Sequence, residues 1–174
     1  MDNASISWRT SLVLVPALLA ACVPAGCGSN DAGVYTARPV KHTEPPMSRA
    51  ALARAYLFIT GPANDALSKF RTKASGWGDS TTGTQAAKDA APAVAALRRA
   101  DSQLLRLDWG PSMNPEVRTL VTAHGAVIRD LGSLRALKSL APGPWLNRLV
   151  DDSSKASAAA QVLRKDLGLP QSKP

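Results

Sequence analysis

The stretch Asn114–Leu140, NPEVRTLVTAHGAVIRDLGSLRALKSL, decides the fold. Asn114 offers a side-chain oxygen to the unpaired N–H groups of a helix start, and Pro115 at the first helical position has no N–H to leave unpaired. Glu116 puts a negative charge at the positive end of the helix dipole. Behind these signals Val117, Leu120, Val121, Val127, Leu131, Leu134 and Leu137 recur at three- and four-residue steps, the period of an amphipathic helix running to about residue 140. A helix with one apolar stripe needs other elements to cover it.

The segments on either side supply that cover. Upstream, residues 84 to 108 carry Ala90, Val94, Leu97, Leu104 and Leu107 on one side, with Thr84 placed to cap the start and Trp109-Gly110-Pro111 closing the end. Downstream, Ala141-Pro142-Gly143-Pro144 makes a turn. Leu146, Leu149, Ser153, Ala156, Ala160, Leu163 and Leu167 then mark a further helix that Gly168 and Pro170 stop. A first helix, 49 to 75, shows Leu52, Tyr56, Ile59, Ala63, Ala66, Leu67, Phe70 and Ala74 in phase. Gly61-Pro62 interrupts it without shifting that phase, so Pro62 predicts a kink rather than a loop. Asn64, just past the kink, is placed to bond the carbonyls freed by the missing proline donor, or to touch a ligand. The loop 76 to 83 holds Trp77, as a lid on the bundle end or an exposed contact. No strand pattern of useful length competes. The expected fold is all-α, an antiparallel four-helix bundle over residues 48–170 with a short tail, 171–174.

With 174 residues the chain has room for one such core. Hydrophobic residues make up 45% and aromatic residues 5%, so Leu, Val and Ala must fill that core.

Residues 1–21 read as a different kind of segment. A short polar start with Arg9 leads into Leu12-Val13-Leu14-Val15-Pro16-Ala17-Leu18-Leu19 and then Ala20-Ala21-Cys22, the layout of a secretory signal peptide. Ser11 to Ala21 is 11 residues, short of the roughly 20 that cross a hydrocarbon core as a helix. Leu19-Ala20-Ala21-Cys22 resembles the lipobox of bacterial lipoproteins. That resemblance implies a diacylglycerol (palmitate-type) membrane anchor on the Cys22 thiol and a location on the outer face of the cytoplasmic membrane. Free secretion after cleavage near Ala21 is the alternative. Cys27 is a rival acceptor, but Pro24 stands where the pattern wants an aliphatic residue.

A Cys22–Cys27 disulfide would staple nothing in the core. Residues 22–47, with Pro24, Gly26, Gly28, Gly33, Pro39, Pro45 and Pro46, read as a lipidated N-terminus and flexible linker. As a coil, such a linker spans about 25–30 Å. Removing residues 1–21 takes Arg9 and Asp2 together, so the net charge of +8 belongs to the exported part. The basic residues concentrate at Lys69, Arg71 and Lys73 and at Arg98 and Arg99. With no aromatic stacking platform on an exported chain, they do not point to nucleic acid; they are either ordinary solvated faces or contacts for anionic lipid or acidic cell-wall polymer.

Two polar residues fall on apolar seams. Asp101 lies between Leu97 and Leu104, and His124 between Leu120 and Val127. A hairpin turning near residues 111 and 112 brings position 101 opposite about 122, within one helical turn of His124. The pair is expected as a hydrogen-bonded core contact or as the polar feature of a ligand pocket. With two His, two Glu and eleven Asp, and no Glu-x-x-His repeat, His-Glu-x-x-His, Gly-x-Ser-x-Gly or phosphate-binding loop, no metal, cofactor or catalytic residue is expected.

Tyr56-Leu57, Pro62-Ala63-Asn64 with Ala66-Leu67, the Ala-rich second helix ending at Trp109, and the closing Leu163-Arg164-Lys165-Asp166-Leu167-Gly168-Leu169-Pro170 resemble small predicted lipoproteins of high-GC actinobacteria. The likeness spans most of residues 49 to 170. It implies location and helical shape, and carries over no activity and no catalytic residue. The expected function is a noncatalytic binding or interaction module at the cell envelope, its protein partner not specified by the sequence. The alternative is a small-ligand binder or sensor with an interior pocket near Asp101 and His124, and an enzyme comes third.

Overall fold

The computed structural model describes residues 47–141 and 143–171. The expectations placed on the signal segment, Cys22, Cys27, the linker up to residue 46 and the tail from residue 172 lie outside the described residues. Helices account for 79% of what is described, and no strand occurs among these residues. Four helices follow in order: α1 (Arg49–Ala74), α2 (Gly83–Leu104), α3 (Gly110–Ser133) and α4 (Pro144–Asp166), with a 3-10 turn at Leu134–Ala136. The described residues form an all-α four-helix bundle.

Each helix start and stop has a local cause. Ser48 accepts from the Ala51 N–H and caps α1. α2 begins at Gly83 and is capped by Thr82, whose Oγ1 accepts from the Gln85 N–H, two residues ahead of the Thr84 cap expected from sequence. α2 ends at Leu104, four residues before the predicted limit, and the connection Leu105–Trp109 lies upstream of the predicted one, because Trp109 turns inward. Only 2% exposed, Trp109 donates from Nε1 to the Leu104 carbonyl at 2.7 Å and so occupies one of the orphan acceptors at the end of α2. Gly110, at φ +71°, supplies the left-handed step that restarts the chain at once, and Pro111 sits in the first turn of α3. Asn114 and Pro115 therefore lie inside α3 and do not open it.

α3 ends at Ser133, seven residues before the predicted limit, where the Ser133 hydroxyl donates to the Asp130 carbonyl at 2.7 Å and the backbone tightens into the 3-10 turn. At the end of α4, Gly168 is again left-handed. Its N–H donates to the Lys165 carbonyl and the Leu169 N–H to the Arg164 carbonyl, a Schellman stop.

Pro62, Pro92 and Pro115 each lie within a helix, and all three are exposed. Each removes a donor from the carbonyl four residues back, on the side where water replaces it. α1 accordingly runs through Gly61-Pro62 as a single helix.

The core is built largely from Leu and Ala. Leu97, Leu104, Leu120, Leu131, Leu134 and Leu163 are fully enclosed. Ala86, Ala90, Ala93 and Ala100 line the buried side of α2, their small volume letting this helix pack against both α1 and α3. α3 packs on α4, whereas α1 and α4 do not pack closely along their length. The bundle is therefore open along one seam. No helix of the described residues is long and apolar enough to cross a membrane.

Candidate functional site

The open seam between α1 and α4 is a groove of about 240 Å³. Its α1 wall carries Tyr56, Thr60, Ala63, Leu67 and Phe70, a stripe at helical spacing, with exposed Asn64 and Asp65 beside it. Its α4 wall carries Leu146, Leu149, Ser153, Ala156, Ala160 and Arg164. Leu97 of α2 and His124, Val127 and Leu131 of α3 also line it, reached because α1 and α4 stand apart. The side chains that give these helices their apolar period line much of the groove, with serine, threonine and charged side chains set among them.

His124 is one of several polar residues in this lining. Its Nδ1 lies 2.6 Å from Oδ1 of Asp101, and their side chains are 13% and 12% exposed. Asp101 reaches it from α2, one helix removed from the groove, and does not line it. A buried carboxylate needs a donor, so the contact places a proton on Nδ1 and turns Nε2 to the groove side of the ring. Among the described residues nothing bonds Nε2.

Charged groups mark the length of the groove. Tyr56 lies beside Arg164: burial pushes the phenol above its ordinary value, while the charge and hydrogen bond of that guanidinium oppose the shift. Arg164 Nε and Nη2 both donate to the Pro170 carbonyl, which fixes the guanidinium at the groove end. Arg71 lies fifteen residues along α1 from Tyr56, about 22 Å at the helical rise, and burial lowers its pKa from the ordinary arginine value. The Thr60 hydroxyl donates to the Tyr56 carbonyl at 2.8 Å. This bond, rather than one from Asn64, is the polar contact that α1 makes near Pro62; Asn64 is exposed on the groove rim.

Elsewhere several polar groups have structural partners. Trp77 is a lid: its ring meets Phe70 edge-on at 5.6 Å, and its Nε1 donates to Asp89 at 3.3 Å. Burial alone would raise the Asp89 pKa, but Trp77, Gln85 and Lys73 together hold it below the usual carboxylate value. A second hollow, near the start of α1, contains Arg49, whose Nη2 donates to the Lys165 carbonyl at the negative end of α4. Among the described residues no group of three or more His, Cys, Asp or Glu could hold a metal ion.

Sequence reasoning singled out Asp101 and His124 but missed Tyr56, Thr60 and Arg164. It also missed Phe58, 80% exposed on the outer side of α1. The fold and site define an all-α bundle with one open, apolar, histidine-lined seam. Comparison with protein-family models, curated proteins and solved structures finds no match to this chain.

Proposed function

We propose that this chain is a noncatalytic binding module, held by a diacylglycerol on Cys22 at the outer face of the cytoplasmic membrane, whose binding site is the groove between α1 and α4. The membrane part of the reading rests on the signal segment and Leu19-Ala20-Ala21-Cys22. The binding part rests on one observation: an apolar groove of about 240 Å³ lined by a histidine whose second nitrogen has no partner among the described residues. Pockets that hold drug-sized ligands run to roughly 300–1,000 Å³, so a smaller molecule suits this one. The basic balance of +8 favours anionic lipid or acidic cell-wall polymer as surroundings, with no role for nucleic acid. Exposed Phe58 supports a second form of the reading, in which α1 also contacts a protein partner.

The neutral apolar dye N-phenyl-1-naphthylamine tests the groove. Saturable fluorescence with one dye per chain is expected. Ala160→Phe, which fills the groove from α4, should abolish that signal while the helical circular dichroism stays unchanged. Dye binding that survives Ala160→Phe in a folded chain would refute the groove as the site.

A further inference from the structure

We infer that the groove is matched to an apolar monocarboxylic acid, its tail among the aliphatic side chains and its head at Nε2 of His124; this rests on the groove being the binding site. The inference starts from the tautomer. Asp101 fixes a proton on Nδ1 at 2.6 Å, which leaves two states for the ring. In the neutral ring Nε2 is a lone pair, and its complement is a group that gives up a hydrogen. In the charged ring Nε2 carries a hydrogen, and its complement is an anion.

A carboxylic acid answers both descriptions. The acid on the neutral ring and the carboxylate on the charged ring are one complex differing by the position of a proton, and Asp101 balances the imidazolium in the second case. A hydroxyl can donate to the neutral ring and accept from the charged one, but it brings no charge to pair with the imidazolium. An ammonium head can donate to the neutral ring only, and the charged ring repels it.

Charge along the walls selects in the same direction. Arg71 and Arg164 line the groove against the single carboxylate of Asp65, and Tyr56 is the remaining ionisable group on α1 and α4 that faces it. The charge of Asp101 is engaged behind the imidazole. Arg71 is engaged in an interaction of its own, so the positive charge that faces a negative head is that of Arg164, which among the described residues bonds only the Pro170 carbonyl and the Tyr56 phenol. The body of the ligand meets Leu97, Val127, Leu131 and Leu149, which offer no polar group to an apolar chain.

Displacement of N-phenyl-1-naphthylamine by three eight-carbon probes tests this: octanoate, octanol and octylammonium. The full-length sequence expressed with Cys22→Ala is used, so that no acyl group of the protein competes. Octanoate is expected to displace the dye at concentrations about tenfold or more below octanol, with octylammonium weakest. In His124→Gln the ratio of octanoate to octanol displacement is expected to fall to about one, measured against the dye affinity that this variant itself shows. In the unsubstituted groove, the Nε2 resonance of His124 should shift when octanoate is added, a readout that does not depend on any variant folding. Equal displacement by all three probes, or an unmoved Nε2 resonance, would overturn the carboxylate head and leave the groove itself standing. A dye that never binds would remove both.

Discussion

At the scale of single residues, the Asp101–His124 contact joins α2 to α3 at 2.6 Å with both partners largely withdrawn from water. Removing one side of such a pair strands the other. His124→Leu is expected to cost about 2–4 kcal/mol in chemical denaturation, with Asp101→Leu/His124→Leu recovering part of that loss. A His124→Leu chain as stable as the parent would deny the pair its structural role. Asp130 behaves in the opposite way. Its Oδ2 is buried without a hydrogen-bond partner. Burial and then the neighbouring Asp152 raise its pKa, against the weaker pull of Arg148, Arg129 and Lys155. A carboxyl raised in the folded state stabilises the fold when protonated, and that contribution is lost as pH climbs through the folded value. Asp130→Asn should therefore melt roughly 1–4 °C above the parent at pH 7, the gain shrinking to nothing below the ordinary aspartate value of about 3.9. Asp101 and His124 are legible in sequence because a polar residue on an apolar stripe breaks the pattern. Tyr56, Thr60 and Arg164 fit their patterns as core, solvent-side or helix-end residues, so nothing in the spacing marks them.

The helices themselves were legible because apolar residues at steps of three and four survive any error in cap placement. Their ends were not, since tertiary contacts override local signals. Trp109 buries itself and pulls the start of α3 forward, past an Asn114-Pro115-Glu116 sequence that would cap a free helix. Gly83 shows the same dependence on distant chain. The first turn of α2 abuts the carbonyls of Leu134, Arg135 and Leu137, placing the positive end of its dipole against their oxygens. A Cβ at Gly83 would fall 2.5 Å from the Leu134 oxygen and 2.6 Å from that of Leu137, both backbone atoms that cannot swing aside. Gly83→Ala, which by helix propensity alone should stabilise α2 by about 1 kcal/mol, is expected instead to destabilise the protein by roughly 1–3 kcal/mol. Thermal melting of Gly83→Ala settles the sign, and a higher midpoint would show that the 3-10 turn gives way freely.

For the whole molecule, what periodicity cannot carry is the distance between helices, and that distance creates the groove. Four stripes predict closure; they do not say that α1 and α4 stand apart while α2, with its alanines, draws its two neighbours in. The remaining question at this scale is the proposed membrane attachment, for which two forces can be separated by salt. A net charge of +8 attracts the chain to anionic lipid, but at 1 M salt the Debye length falls to about 3 Å and that attraction is screened. A diacyl thioether acts through buried methylenes, about 0.8 kcal/mol each, and is indifferent to salt. The parent protein is therefore expected to stay with the membrane fraction through a 1 M sodium chloride wash. Full-length Cys22→Ala should sediment with phosphatidylglycerol vesicles at low ionic strength and leave them in the same wash. Retention of Cys22→Ala at high salt would move the anchor to Cys27 or to the apolar signal segment itself. Release of the parent would leave charge as the main attraction, and then exposed basic residues, not a lipid, would set where this bundle presents its groove.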